Sequence, residues 1–226
     1  MYYAIPGLNT RILGSLHRLP ERVQEPPSWV ADAFNWSQSI EMEHNSNDLD
    51  RCCYEPGSGD LKPWARLLNM MRFVASQLPA QKGIEARFIE ALQAAGRPPM
   101  QYIETAESFG TLLDAVPAYD LALAEIALNA ARPSMMSDFA RLHFAWDRAD
   151  EVALRSVQET GPLHTLKTLR RAFFLSRNEN WAQTITARGE PEKPHLLVVG
   201  ALHLVGPGSL LDRLAARGLV VNRLIE

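Results

Sequence analysis

Two hydrophobic patterns divide this chain: short apolar runs near its two ends and helical periodicity between them. Residues 2–5 and 11–14 are apolar runs flanking Pro6-Gly7-Leu8-Asn9, a turn-forming cluster, and predict a β-hairpin. A polar, proline-rich link (Pro20, Pro26, Pro27) leads to a short helix containing Val30, Ala33 and Phe34. Residues 37–43 alternate loosely into a third strand that ends in acidic residues, and the turn-rich stretch 45–63 predicts an exposed loop.

The middle reads as helix. Apolar side chains at 64, 67, 68, 71, 74, 75 and 78 have the spacing of one helix face. Residues 84–95 repeat that pattern and stop at Gly96, a favourable residue just past a helix end. Residues 100–103 predict a fourth strand feeding a helix from about Glu107, and 119–131, 135–146 and 163–187 predict further amphipathic helices. The apolar strand 196–199, a helix over 210–217 opened by Ser209, and a strand over 219–224 complete the chain. Strands at both ends need partners for their backbone groups. The expectation is a single α/β domain over residues 1–226, with a mixed central β-sheet formed by strands from both chain ends and flanked by a largely helical middle.

The candidate chemistry lies where the terminal strands stop. Gly14-Ser15-Leu16-His17 and Gly200-Ala201-Leu202-His203 each place a histidine three residues past a glycine that ends an apolar run. A third Gly-x-x-His ends at His164, but the polar residues 156–160 precede it and Pro162 suits a helix first turn, so it reads as structural. The preceding strand, not the spacing, is therefore informative. In open α/β sheets ligands bind beyond the carboxyl ends of strands, and glycine there permits a sharp turn or a close approach. Two neutral imidazoles in that crevice can share one metal ion. Glu41 and Glu43 end the third strand, where alternation points both to one face, and Glu104 ends the fourth. Arg177 can pair with such a carboxylate or with an anionic substrate group.

Composition narrows the class. With 46% hydrophobic and 22% charged residues the chain has the makeup of a soluble globular protein, and a net charge of -3 argues against a nucleic-acid partner. No apolar run approaches the roughly 18 residues of a membrane-spanning helix, so no membrane partner is expected. The start lacks a basic segment followed by an apolar one, so a cytoplasmic product is expected, or a periplasmic or secreted one if the chain is trimmed. The only cysteines, Cys52 and Cys53, are adjacent, which excludes a disulfide framework and a thiolate zinc cluster. The apolar helix faces suit a core or a homodimer contact equally.

Taken in order, the two strand-Gly-x-x-His units, Glu41, Gly83-Ile84-Glu85, Ile103-Glu104-Thr105-Ala106-Glu107, Arg177-Asn178-x-x-Trp181 and the block Gly200-Ala201-Leu202-His203-Leu204-x-Gly206-Pro207 resemble the TraB/GumN/TIKI family. The resemblance implies a compact α/β fold of the erythromycin-esterase and ChaN-like kind. It also implies a metal-dependent hydrolase, a TIKI-like protease using manganese or cobalt, with zinc compatible with the same ligands. On that pattern His17, Glu41 and His203 would hold the ion, and Glu43, Glu104 and Arg177 would be catalytic. The substrate would be a peptide or a small molecule. The same resemblance leaves open a non-catalytic ligand-binding or regulatory protein of the pheromone-shutdown or haem-binding type. Glu43 and Glu85 depart from it, standing where the family usually or often has Asp.

Overall fold

The chain begins with the expected hairpin. Strands β1 (Tyr2–Ile5) and β2 (Thr10–Ser15) pair antiparallel, Tyr2 opposite Leu13 and Ile5 opposite Thr10, around a turn in which Gly7 takes φ 84°. The computed structural model describes residues 1–44, 48, 50–54 and 60–225, and part of the loop expected over 45–63 lies outside them. After β3 (Arg18–Pro20), α1 (Ser28–Trp36) and β4 (Ser39–Met42), the path runs through a short 3₁₀ turn to α2 (Pro63–Ser76), β5 (Ala80–Lys82), α3 (Ile84–Ala94), β6 (Gln101–Tyr102) and α4 (Ala106–Asp114).

Helices α5 (Ala118–Ala131), α6 (Met135–Asp147) and α7 (Glu151–Thr160) follow. The segment expected to be one long helix over 163–187 is instead four pieces: α8 (Pro162–Thr165), α9 (Lys167–Arg170), a π turn (Arg171–Leu175) and α10 (Ser176–Arg188). Leu166 is extended, with φ -89° and ψ 115°, which separates the first two. Strand β7 (His195–Gly200), a 3₁₀ turn (Ala201–Leu204), α11 (Leu210–Ala215) and β8 (Asn222–Arg223) end the path.

Six of these strands form one mixed sheet in the order β6-β4-β7-β2-β1-β8, so both chain ends do meet in it. Strands β6, β4, β7 and β2 are parallel neighbours, with β1 and β8 antiparallel at one edge. A parallel strand covered on both faces reads as an unbroken apolar run, and Leu196, Leu197, Val198 and Val199 are all buried at the centre. That core continues into Trp29, Trp146 and Trp181, while a second apolar cluster joins α2, α4, α5 and the π turn.

The pattern of apolar residues left some elements unannounced. Helix α7 buries only Leu154 and Gln158 and is fixed by Asp150, whose side chain accepts from the Ala153 N–H. The pair β3-β5 is a separate two-stranded sheet of three residues each, too short to carry alternation. The last strand covers two residues rather than six, because the Leu219 N–H still bonds back to Leu214 at the end of α11. No helix among the described residues is long and apolar enough to cross a membrane.

Candidate active site at the ends of the parallel strands

Each of the four parallel strands delivers one polar residue just past its carboxyl end: Glu104 after β6, Glu43 after β4, His203 after β7 and His17 after β2. Gly200 ends β7 at the centre of this row. A Cβ placed on Gly200 would lie 3.3 Å from Glu43 Oε1, 3.7 Å from the His203 ring and 3.8 Å from His17 Nε2. Glycine thus leaves open the point on which these three side chains converge, and its N–H donates to Glu43 Oε1 at 2.6 Å.

Both imidazoles are oriented from behind. Asn178 Nδ2 donates to the Gly208 carbonyl at 2.9 Å, so its Oδ1 faces His203 Nδ1 at 2.7 Å and must accept from it. That fixes the tautomer and leaves the lone pair on Nε2, which Arg177 Nη1 faces at 3.3 Å. Burial pushes the His203 pKa down to about 4, so this ring is neutral. His17 turns Nδ1 to Glu85 Oε1 at 3.0 Å, and Glu85 also accepts from the Ser15 hydroxyl. Glu85 raises the His17 pKa above its ordinary value, although 69% of that side chain faces water, which screens part of the pull.

Arg177, near the start of α10, ties the row together from below. Its Nη2 donates to Glu43 Oε2 at 2.6 Å and to Glu104 Oε1, its Nε to Glu104 Oε1 at 2.9 Å, and its Nη1 to the Phe173 carbonyl at 3.3 Å. Phe109 and Trp181 sandwich the guanidinium at 4.4 and 4.6 Å, and Trp181 donates to Glu104 Oε2 at 3.1 Å. Burial alone would raise Glu43, but the charges of Arg177 and His17 and the Gly200 N–H outweigh it and hold this carboxyl far below the usual range. Burial is likewise outweighed by Arg177 and His44 at Glu104, which stays ionised. Two carboxylates against one guanidinium leave a surplus negative charge beside the two imidazoles.

Glu43 is therefore the hub, with one oxygen on each of two compartments. On the Oε2 side, Glu43, His44 and Glu104 bring ligand atoms within 4.8 Å of one another, a set that can hold a cation. Arg177 Nη2 already sits there, 3.4 Å from His44 Nδ1, and supplies that positive charge. On the Oε1 side lie His17 Nε2 and His203 Nε2, the latter 3.8 Å away.

Of the six residues expected from the sequence, five are gathered here: His17, Glu43, Glu104, Arg177 and His203. Glu41 is not among them. Its carboxylate accepts from both Nη atoms of Arg188 at 2.8 Å and meets His195 Nε2 at 3.2 Å, toward the opposite ends of the strands. Alternation was expected to keep Glu41 and Glu43 together, but β4 stops at Met42, so Glu43 has left the pleat and turns independently. Glu104 is an anchor for Arg177 and Trp181, with both oxygens engaged. The sequence pointed to no site role for Glu85, His44 or Trp181, and to Asn178 only as the neighbour of Arg177. A signal existed for two of them: Arg177, Asn178 and Trp181 share one helix face by spacing, and all three are buried.

The fold and this row of side chains define an α/β protein that collects two imidazoles and buried carboxylates beyond the ends of parallel strands. The chain belongs to the TraB/PrgY/gumN family, whose pattern matches residues 49–223. That match covers Glu104, Arg177 and His203, whereas His17 and Glu43 precede it and join the site through the sheet. No curated protein and no solved structure matches the chain.

Proposed function

We propose that this protein is a divalent-metal-dependent hydrolase of peptide or similar acyl bonds, with the ion held by His17 Nε2, His203 Nε2 and Glu43 Oε1. The observation that carries this reading is the orientation of the two rings. Each gives Nδ1 to a fixed partner, Glu85 or Asn178; His17 turns Nε2 toward the space Gly200 leaves open, and His203 turns Nε2 to within 3.8 Å of Glu43 Oε1. Backing partners of this kind are what metal-binding histidines use to fix tautomer and direction. Two imidazole nitrogens beside a carboxylate, without a thiolate, suit manganese, cobalt or zinc, with His17 giving up its Nε2 proton as the ion binds.

A bound divalent ion at such a site lowers the pKa of water from 15.7 to about 7 and makes hydroxide available at neutral pH. The chain's own residues do the rest. Glu43 is the carboxylate that turns an oxygen to that side, and the Gly200 N–H fixes Oε1 there as the ligand. Arg177 is immobilised by two carboxylates and two aromatic rings, and would offer its positive charge to negative charge building on a substrate oxygen. Glu85 holds His17 against rotation, and Asn178 does the same for His203.

One contact favours a second reading. Arg177 Nη1 stands 3.3 Å from His203 Nε2, so that lone pair already has a donor. In a metal-free hydrolase Arg177 would supply the positive charge, and Glu43 and His17 would exchange the protons. A peptide library incubated with the protein and manganese or cobalt, with and without chelator, separates the two. Turnover abolished by chelator and restored by either ion is expected. Undiminished turnover in chelator would select the metal-free reading, and no turnover under any condition would remove both.

A further inference from the structure

Substrate has to reach this site past His17. The side chains of His203, Glu43 and Arg177 are only 6%, 9% and 4% exposed, whereas His17 is 69% exposed. Its ring forms one wall of a groove of about 520 Å³, within the range of small-molecule sites and roomy enough for a few residues of extended chain. The other walls are Arg18, the three residues of β5, Gly83 and Ala86.

The groove is basic. His17, Arg18 and Lys82 line it, and no acidic residue does. The nearest carboxylates are already committed, Glu85 to His17 and Glu90 to Lys82. Arg18 differs from every other cation of the site. Among the described residues no carboxylate pairs with it; its Nη2 reaches only the Ala80 carbonyl at 3.3 Å, and its Nε is buried without a partner. A partly buried guanidinium with no carboxylate partner, lining an open groove that ends on the site, is a ready partner for a planar anion. Guanidinium matches a carboxylate through paired, charge-assisted hydrogen bonds.

We propose that this groove is a substrate subsite that receives a carboxylate carried a short distance from the reacting bond, with Arg18 as its anchor and Lys82 as a flanking charge. The assignment rests on the hydrolase reading of the adjoining site and names its substrate class as acidic peptides. Lys82 is 70% exposed and shared with Glu90, so water screens it and Arg18 carries the preference.

The test is fluorescence anisotropy on the full chain at low salt, using dye-labelled capped hexapeptides of alanine and serine. One residue, placed at each position in turn, is Glu, Gln or Lys. The best Glu peptide is expected to bind about tenfold more tightly than its Gln counterpart, the Lys peptide more weakly still, and high salt should reduce the difference. Arg18→Gln should erase the preference and Arg18→Lys should restore part of it. Lys82→Gln, a surface change that leaves folding intact, should reduce it two- to threefold, about the effect of an exposed charge. Equal affinity for the three peptides, no binding of any, or a preference untouched by Arg18→Gln would overturn the assignment. Acidic peptides that bind but are never cleaved, with or without manganese, would sink the hydrolase reading and spare the subsite. Cleavage without charge preference would do the reverse.

Discussion

At the scale of single residues, Gly200 and Glu43 carry the most consequence. Gly200 adopts φ -55° and ψ 133°, a backbone any residue accepts, so its role is spatial. A methyl there would sit 3.3 Å from Glu43 Oε1 and fill the point where three side chains converge. Gly200→Ala should therefore stay folded, within about 1 kcal/mol of wild type by urea unfolding, because the contact asks Glu43 to shift only slightly. The same variant should lose at least about tenfold in affinity for manganese, measured by calorimetry, since its ligands can no longer close together. Glu43→Gln probes the opposite quantity. It removes one of the two carboxylates on the buried Arg177 and leaves Glu104, so the cost is that of a hydrogen bond to a charged group, about 1.5–3 kcal/mol, readable as a lowered urea midpoint. The histidines at 17 and 203 were legible in the sequence because an apolar strand precedes each. Glu43 was legible only as an acid near a strand end; which of its two oxygens serves which neighbour depends on Gly200 and Arg177, far away in the chain.

At the scale of elements, α10 joins the two ends of the sheet. Its first turns present Arg177, Asn178 and Trp181 to the site, and its last residue, Arg188, clamps Glu41 against His195 at the far end. The π turn just before α10 shifts the helical phase so that Phe173 meets Phe109 while Phe174 meets His203. Helical periodicity announced this region but not its breaks, because Leu166 and the π turn answer to packing rather than to local preference. The Glu41 clamp has its own acid signature. Burial alone would raise the Glu41 carboxyl, but the hydrogen bonds from His195 and Arg188 outweigh it and hold it below its ordinary value of 4.5. Its stabilisation is thus fully present above about pH 4.5 and is lost as pH falls through the lower folded-state value. Glu41→Gln should destabilise the protein at pH 7 by roughly 3 kcal/mol and flatten the fall of stability below pH 4.5, measured by chemical unfolding at several pH values. It should leave metal binding unchanged, because no atom of this clamp reaches the row beyond the strand ends.

At the scale of the whole molecule, the site exists because the two ends of the chain share one sheet. Strand β2 from the start and β7 from the end are parallel neighbours through six paired positions, from Thr10 opposite His195 to Ser15 opposite Gly200. That pairing brings His17 beside His203. The meeting of the ends was legible from strands needing partners, but the register was not, because β7 is apolar without a break over 196–199 and so does not specify its offset. Register comes from the tertiary fit of β4 and β2 on either side of β7. The central claim is that His17, His203 and Glu43, without Glu41, hold one divalent ion. Its most direct test is elemental analysis of the chelator-free protein and its variants after manganese loading and desalting. The account predicts close to one ion per chain in wild type and in Glu41→Gln, and almost none in His203→Ala, in Glu43→Gln or in a His17/His203 double variant. Retention of the ion by Glu43→Gln together with its loss from Glu41→Gln, or no ion in the wild type, would contradict it.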